Sequence, residues 1–162
     1  MDKHNPQLLI LPEDKANCQI ANGFFLNLNI KSRSFRVLPI AGGWTKVLKK
    51  FKTDHLDKMR RCPDRKMVFL IDFDENKERL DRIKKEIPQD LIDSVFVLGV
   101  WSEPEKLKKK TGKDFETIGK ALAEGCPISR NELWSDELLQ HNETELDRMI
   151  PLVKSFLFEK TE

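Results

Sequence analysis

Four short apolar runs, separated by stretches with helical periodicity, constrain the fold of this chain more than any other feature of its sequence. The runs read QLLIL, FRVLPI, MVFLI and VFVLGV, and they begin at residues 7, 35, 67 and 95. They are short and largely continuous, which is typical of strands that are buried on both faces. Because strands that alternate with helices are joined by right-handed crossovers, the pattern predicts a parallel sheet between two helical layers.

The segments between and after these runs place apolar residues at helical intervals, as amphipathic helices do. Ala16, Ile20, Phe24 and Leu28 recur at every fourth position after the first run. Similar faces follow further along the chain at Trp44, Val47, Leu48 and Phe51, at Leu80, Ile83 and Ile87, at Phe115, Ile118, Ala121 and Leu122, and at Leu133, Trp134, Leu138 and Leu139.

The last predicted helix, 143–158, follows Asn142, which favours the N-cap position, and Glu145 completes a capping-box pattern. Pro151 lies inside this helix and predicts a kink or a division there. We therefore predict an α/β fold, a three-layer α/β/α domain with four parallel strands in the order 2-1-3-4 and an added C-terminal helical region. The length suits a single domain, 1–162.

Composition narrows the class of protein further. Hydrophobic residues make up 39% and charged residues 35% of the chain, so we expect a globular protein with a heavily charged surface. Cys18, Cys62 and Cys126 lie far apart and form no CxxC pair, which argues against a structural zinc site or a disulfide framework and suits a reducing compartment. No apolar stretch approaches the roughly 18 residues of a membrane span, so we expect a cytoplasmic protein without a membrane partner.

Pairs of acidic residues follow three of the four predicted strands. They are Glu13 and Asp14 after the first strand, Asp72 and Asp74 after the third, and Glu103 and Glu105 after the fourth. Ligands of open parallel sheets bind at the carboxyl ends of the strands, and Mg²⁺ or Mn²⁺ prefers carboxylate oxygens. The sequence therefore predicts a magnesium or manganese site at this edge of the sheet.

The spacing of the acids suggests a role for each in catalysis or metal binding. Residues i and i+2 of a strand face the same side, so Asp72 and Asp74 would share one ion. Glu13, on a neighbouring strand about 4.8 Å away, would be a further ligand or a general base. Glu103 or Glu105 would complete a second metal position. This arrangement fits phosphoryl transfer or the cleavage of phosphodiester bonds.

Each of these acids also has a purely structural explanation. Asp72 and Asp74 would cap a helix that begins directly after them, and Glu13 would favour the positive end of the helix that follows it. Glu105 would belong to a capping box with Ser102. Two acids directly after the apolar third strand are more than a helix cap needs. Asp72 and Asp74 are therefore the most specific of these signals for a functional site.

Basic residues are unevenly distributed, although the net charge is only +2. Nine Lys or Arg residues and three Asp residues lie between positions 44 and 66, and a second lysine cluster lies between 106 and 113. Lys46, Lys49 and Lys50 are the candidates for contacts with the backbone phosphates of a nucleic acid. The alternative is that these lysines belong to solvated helix faces.

The order of these motifs resembles that of the Toprim domain, the metal-binding α/β module of topoisomerases, primases, small ribonucleases and overcoming-lysogenization-defect nucleases. In that family a glutamate follows the first strand, a glycine-containing turn follows the second, and an Asp-x-Asp pair follows the third. The counterparts in this chain look like Glu13 in LLILPEDKAN, Gly42-Gly43 in LPIAGGW, and Asp72 with Asp74 in VFLIDFDEN. The segment WSEPEKL, which begins at Trp101, is similar to a further acidic motif of the nuclease branch. The similarity covers residues 7–110 and leaves 111–162 as a helical extension.

The resemblance implies a nuclease-like enzyme that acts on the phosphodiester bonds of nucleic acid and depends on magnesium or manganese. Such an enzyme would serve DNA or RNA processing, or defence. The chain departs from the family pattern in having Asp14 where glycine is common and Asn17 where an acid is often found. It contains no tyrosine, which excludes tyrosyl transfer of the topoisomerase type, and no GxxxxGK(S/T) phosphate loop. The alternative is a non-catalytic protein-interaction module that keeps the Toprim-like fold and docks onto a protein partner through its helical tail.

Overall fold

The four predicted strands form one parallel sheet in the computed structural model, which describes residues 6–27, 30–125 and 133–158. The strands are β1 (Gln7–Pro12), β2 (Phe35–Val37), β3 (Arg65–Leu70) and β4 (Val95–Leu98). Their order is β2-β1-β3-β4, so the predicted α/β/α class and the strand order 2-1-3-4 are confirmed. β1 and β3 are central neighbours, and Pro12 lies beside Leu70 where both strands end.

Seven α-helices flank or extend this sheet in the described part of the chain. They are α1 (Lys15–Phe25), α2 (Trp44–Lys50), α3 (Leu56–Arg61), α4 (Lys77–Lys85), α5 (Pro104–Thr111), α6 (Phe115–Gly125) and α7 (Glu143–Leu157). A π-helical turn, Phe51–His55, joins α2 to α3. The helix predicted at 133–139 is replaced by turns, because Asp136 accepts a local hydrogen bond from Leu138 N that competes with helix formation. α7 is not divided at Pro151.

Successive side chains of each strand enter two different apolar layers, because they point to opposite faces of the sheet. Leu8 and Ile10 of β1 pack with α1, α6 and α7 on one face. Leu9 and Leu11 pack with α2, α3 and α4 on the other face. The sheet is covered on both sides, which is why its strands read as apolar runs with little alternation.

The predictions about cysteines and membrane spans can be compared with the structure only where residues are described. Cys18 and Cys62 are free thiols, whereas Cys126 lies outside the described residues. Leu28, the last residue of the predicted first helical face, also lies outside them. Within the described ranges, no helix combines the length and the apolar composition that a bilayer span requires.

α1 and α6 cross at a separation that only glycine allows. Gly23 of α1 faces the backbone of α6, and a Cβ atom placed there would overlap the carbonyl oxygen of Glu116. Gly119 of α6 faces α1 in the same way, and a Cβ atom there would overlap the carbonyl oxygen of Ile20. Because the two backbones touch, α6 packs directly against the helix that follows β1.

Polar side chains of α7 cover the free edge of β4, the last strand of the sheet. Three residues spaced three apart, the N-cap residue of α7 and two residues of the helix itself, bond to backbone groups of this edge, and we call the set the edge ladder: Asn142 with Gly99, Glu145 with Val97, and Arg148 with Val95. Gly99 N donates to Asn142 Oδ1 at 3.0 Å, and Asn142 Nδ2 donates to Gly99 O at 2.9 Å. An uncovered edge strand would present these groups to another chain, so the edge ladder takes the place of a fifth strand.

The edge ladder shows why the predicted capping box at α7 is wrong. Asn142 occupies the N-cap position, but its side chain makes no cap hydrogen bond, because both of its polar atoms bond to the backbone N–H and carbonyl of Gly99. Glu145 is only 2% exposed and lies 3.1 Å from Lys84 Nζ and 2.9 Å from Arg148 Nε, so its buried charge is compensated. The C-terminal helix is thereby tied to both β4 and α4.

Candidate functional site

β1 and β3 end side by side and bring two of the predicted site residues together. Glu13 N donates to Leu70 O at 2.9 Å, which extends the pairing of the two strands by one residue. Asp72 N then donates to Glu13 Oε1 at 3.1 Å. Glu13 and Asp72 therefore leave the sheet as neighbours, at the carboxyl edge where ligands bind in folds of this kind.

Asp14 joins these two residues, and the three together form what we call the acidic cluster. One carboxylate oxygen from each of Glu13, Asp14 and Asp72 lies within 4.8 Å of the other two, and all three residues are partly buried. Asp14 is also the N-cap of α1, since its Oδ1 accepts from Asn17 N at 3.0 Å. The structural role at the start of α1 is thus filled by Asp14, which leaves the Glu13 carboxylate available to the cluster.

Asn17 contacts the acidic cluster and is fully buried. Its Nδ2 donates to Asp14 Oδ1 at 3.0 Å and to Asp72 Oδ1 at 2.9 Å. Its Oδ1 is also buried and has no hydrogen-bond partner within the described residues. The sequence marks this position only through its departure from the Toprim pattern, four residues after Glu13, and gives it no role.

The glycine turn after β2 holds the backbone of Glu13. Gly42 N and Gly43 N donate to Glu13 O at 2.8 and 3.2 Å. Both glycines have positive φ angles, 96° and 145°, which residues with a side chain rarely adopt. A Cβ atom built on Gly42 would lie 3.8 Å from Lys46 Nζ, so this predicted phosphate ligand lies beside the turn.

Asp74 is not a member of the acidic cluster, unlike Asp72. Its side chain is 65% exposed, and its Oδ2 lies 3.6 Å from Arg79. The strand-like alternation expected from the sequence ends here, because Asp74 and Glu75 have φ angles of 52° and 57°. The N–H groups of both residues donate to carbonyls of the segment after β4, at 3.2 and 2.7 Å, and these bonds fix the turn. In this conformation Asp74 does not join the other three carboxylates among the described residues.

Glu103 and Glu105 are exposed at the start of α5 and do not enter the acidic cluster of the described chain. The capping box proposed for this helix is not formed, because Glu103 is the N-cap residue and makes no side-chain cap hydrogen bond. The Ser102 hydroxyl is buried without a partner among the residues that the structure describes. The aspartates after β3 do not cap α4 either, since Asn76 accepts from Glu78 N at 3.0 Å.

Arg79 is a site residue that the sequence reasoning missed. Its Nη1 donates to the carbonyl oxygen of Asp72 at 2.6 Å, and its guanidinium lies 5.1 Å from the centroid of the Trp44 ring. Arg82, one turn further along α4, lies 5.4 Å from the same ring. Two arginines at a spacing of three, directly after an Asp-x-Asp pair, are the signal that would have found this group.

Three predicted phosphate ligands, Lys46, Lys49 and Lys50, lie on α2, the helix that begins with Trp44. None of the three makes an ion pair within the described residues, whereas Lys52 in the following turn pairs with Glu86. These cations are therefore available to an anionic partner, and Lys46 lies beside the glycine turn at the carboxyl edge of the sheet.

Two members of the acidic cluster, Glu13 and Asp72, bind protons more tightly than isolated carboxylates do. Burial raises the pKa of Asp72 to about 7, an effect that the Asn17 hydrogen bond opposes and that the charges of Asp14 and Glu13 reinforce. Burial also raises the pKa of Glu13, against the hydrogen bond from Asp72 N. Without a cation, the cluster therefore resists becoming fully ionised at neutral pH.

His141 packs against the residue that separates the two aspartates. Its ring centroid lies 4.9 Å from that of Phe73 and 5.4 Å from that of Trp101. Burial lowers the pKa of His141, so the ring is neutral at pH 7. It acts as an aromatic packing partner that supports the loop after β3.

Comparisons with known proteins assign no family to this site. Protein-family models, curated proteins and solved structures all give no match to the chain. The fold and the acidic cluster are therefore the observations from which a function is inferred.

Proposed function

We propose that this chain is a Toprim-like, metal-dependent enzyme that acts on the phosphodiester bonds of nucleic acid in the manner of a nuclease. The observation that carries the proposal is the convergence of Glu13, Asp14 and Asp72 within 4.8 Å at the carboxyl edge of the sheet. The strand order supports it because β1 and β3 are neighbours, and the turn at Gly42 and Gly43 supports it because this turn belongs to the resemblance drawn from the sequence.

Mg²⁺ or Mn²⁺ suits the acidic cluster. Octahedral Mg²⁺ binds oxygens at about 2.1 Å, so neighbouring ligands lie roughly 3 Å apart and opposite ligands roughly 4 Å apart. The carboxylate oxygens, all within 4.8 Å of one another, need only small side-chain movements to reach that geometry. Water and substrate oxygens would fill the remaining positions. The cation would also compensate the mutual repulsion of three partly buried carboxylates.

The members of the cluster have different roles in this proposal. Asp14 and Asp72 are metal ligands. Glu13 is a ligand or the general base, since its raised pKa suits a group that accepts a proton from water. The ion would polarise a phosphoryl oxygen and lower the pKa of its bound water, which generates the nucleophile.

Asp74 is proposed as a further ligand of the ion at the acidic cluster, and Glu103 or Glu105 as a ligand of a second ion. Only the pair with Arg79 holds the Asp74 carboxylate among the described residues, and that side chain is largely exposed. A rotation of the turn after β3 would bring Asp74 towards the acidic cluster. Substrate or metal would have to supply the free energy for this rotation.

Nucleic acid is the proposed substrate because cations flank the cluster on one side. Lys46, Lys49 and Lys50 on α2 and Arg82 on α4 form no ion pair within the described chain. Contacts between these groups and backbone phosphates would position a scissile bond over the carboxyl edge without reading the base sequence. Affinity should then fall as the salt concentration rises.

The test is a cleavage assay with labelled DNA and RNA in the presence of Mg²⁺ or Mn²⁺. We expect cleavage that requires the metal and that Glu13→Gln and Asp72→Asn reduce by about 100-fold or more. Asp81→Asn, an exposed carboxylate on α4, is the matched control and should retain activity. Circular dichroism establishes that each variant is folded. Neither cleavage nor binding of any nucleic acid with either metal would contradict the proposal and favour the protein-interaction module.

A further inference from the structure

Arg79 is a largely buried cation whose charge is only weakly compensated. Its side chain is 13% exposed. Within the described ranges it donates one hydrogen bond, from Nη1 to the carbonyl oxygen of Asp72 at 2.6 Å. Its Nη2 lies 3.6 Å from Asp74 Oδ2, which is longer than a hydrogen bond. A guanidinium offers five N–H donors, so Arg79 can hold an anion more closely than it holds Asp74 here.

Trp44 and the backbone of Asp72 fix the orientation of this guanidinium. The Arg79 guanidinium carbon lies 5.1 Å from the centroid of the Trp44 ring, and that of Arg82 lies 5.4 Å from the same centroid. Two positive charges are thus gathered against one ring, and an anion bound to either would reduce their repulsion. A planar donor fork that is held in one orientation favours a carboxylate or a phosphate as its partner.

Arg79 also lies close to the acidic cluster. Burial raises the pKa of Glu13, and the positive charge of Arg79 is one of the effects that oppose this rise. The hydrogen bond from Arg79 reaches the backbone of Asp72, a second member of the cluster. An anion on Arg79 would therefore lie beside the carboxylates that are proposed to hold the cation.

We propose that Arg79 binds a backbone phosphate of the nucleic acid in place of the Asp74 carboxylate and holds this phosphate beside the acidic cluster. The inference rests on the proposed function, because it names a residue that positions the substrate of that reaction. Asp74 is displaced readily, since its side chain is 65% exposed and a long, exposed ion pair contributes little to stability. The exchange also frees the Asp74 carboxylate from its cation.

The test is a double-mutant cycle on the affinity for nucleic acid. Fluorescence anisotropy with labelled single-stranded DNA and RNA, at low salt in EDTA, measures binding without metal-dependent cleavage. We expect Arg79→Gln to weaken binding about tenfold or more, since a charged donor is lost. Asp74→Asn should tighten binding about two- to fivefold, since a competing ion pair is removed.

The cycle distinguishes competition at Arg79 from a general effect of charge. In the Arg79→Gln background, Asp74→Asn should tighten binding no more than the control Asp81→Asn does, because Asp74 then has no guanidinium to compete for. Asp81→Asn removes an exposed carboxylate two positions from Arg79, and its small effect should be the same in both backgrounds.

Cleavage kinetics with Mg²⁺ provide a second readout. Arg79→Gln should lower kcat/KM by about tenfold or more, and Arg79→Lys should recover only part of this loss, because lysine keeps the charge but lacks the planar fork. Thermal denaturation followed by circular dichroism establishes that each variant is folded. A role confined to fixing the turn after β3 would lower the Tm and leave the affinity of the folded protein unchanged.

The outcomes separate this inference from the proposed function. Metal-dependent cleavage with full affinity in Arg79→Gln, and an equal effect of Asp74→Asn in both backgrounds, would refute the inference and leave the nuclease standing. The predicted pattern of binding without cleavage by either metal would keep the phosphate contact and overturn the nuclease. Neither binding nor cleavage by the wild type would refute both. If Arg79→Gln does not fold, Asp74→Asn decides, because an affinity no higher than that of Asp81→Asn contradicts the competition.

Discussion

Replacing Asp72 with asparagine should stabilise the metal-free protein, and the gain should depend on pH. Burial keeps the Asp72 carboxyl protonated up to about pH 7 in the folded state, whereas its ordinary pKa is 3.8. Between these values the folded protein binds more protons than the unfolded chain, so the contribution of this group to stability falls as the pH rises. Asparagine removes this loss and keeps an oxygen that can accept the hydrogen bond from Asn17.

The magnitude follows from the shift and from the exposure of the group. A rise from 3.8 to about 7 corresponds to roughly 4 kcal/mol without screening. Because Asp72 is only partly buried and part of the rise in its pKa comes from the charges of Asp14 and Glu13, solvent screening reduces the expected gain to about 1–2 kcal/mol. For a chain of 162 residues, this gain raises the Tm by about 3–6 °C.

The assay is thermal denaturation of Asp72→Asn and wild type in EDTA, followed by circular dichroism from pH 4 to pH 8. We expect the full difference in Tm above pH 7 and a decline towards pH 4, where the unfolded wild type also begins to bind the proton. Asp81→Asn, which changes an exposed carboxylate, should show little difference at any pH. A variant that is less stable than the wild type at every pH would refute the reasoning and show that the Asp72 carboxylate is a structural group.

Three further predictions concern the fold and the basic side of the site. Gly119→Ala should lower the free energy of unfolding by about 2–3 kcal/mol in urea denaturation, because the added Cβ meets the backbone of α1. The control Lys120→Ala, at an exposed position, should change it by less than about 0.5 kcal/mol. Asn142→Ala should lower the free energy of unfolding by about 2–4 kcal/mol, since the backbone of Gly99 loses its hydrogen-bond partners. Thr144→Ala, which changes an exposed residue of α7, tests whether the loss is specific to the edge ladder. Lys46→Gln should reduce the slope of log affinity for nucleic acid against log salt concentration by about one, and an unchanged slope would remove this lysine from the phosphate contacts.

The sheet could be predicted from sequence because its signals are local. Strands covered on both faces need apolar side chains at nearly every position, and Met67 to Leu70 show this without any knowledge of the partner strands. Helices between the strands then require parallel pairing with crossovers. The meeting of Glu13 and Asp72 follows from the adjacency of β1 and β3, which the predicted strand order contained.

The orientation of the second aspartate could not be predicted in this way. Alternation along a strand places Asp72 and Asp74 on one side only if the backbone stays extended. The left-handed turn at Asp74 and Glu75 is held by carbonyls that follow β4, more than 25 positions further along the chain. No local pattern reports such a contact.

The edge ladder illustrates the same limit. Asn142 and Glu145 have the spacing of a capping box, and a local rule assigns them to the start of α7. Tertiary partners override that rule, because Gly99 and Val97 on the uncovered edge of β4 would otherwise lack hydrogen bonds. The contact between Arg79 and Trp44 depends equally on the packing of two helices that are distant in sequence.

The central claim is that Glu13, Asp14 and Asp72 hold a divalent cation, and anomalous diffraction from crystals grown with Mn²⁺ tests it most directly. We predict an anomalous difference peak at the carboxyl edge of the sheet, roughly 2.1 Å from an oxygen of Asp14 and of Asp72 and beside the Glu13 carboxylate. The peak should be absent from crystals of Glu13→Gln grown in the same way. A wild-type structure at millimolar Mn²⁺ with no peak at the acidic cluster, or with the only peak elsewhere, would contradict the claim.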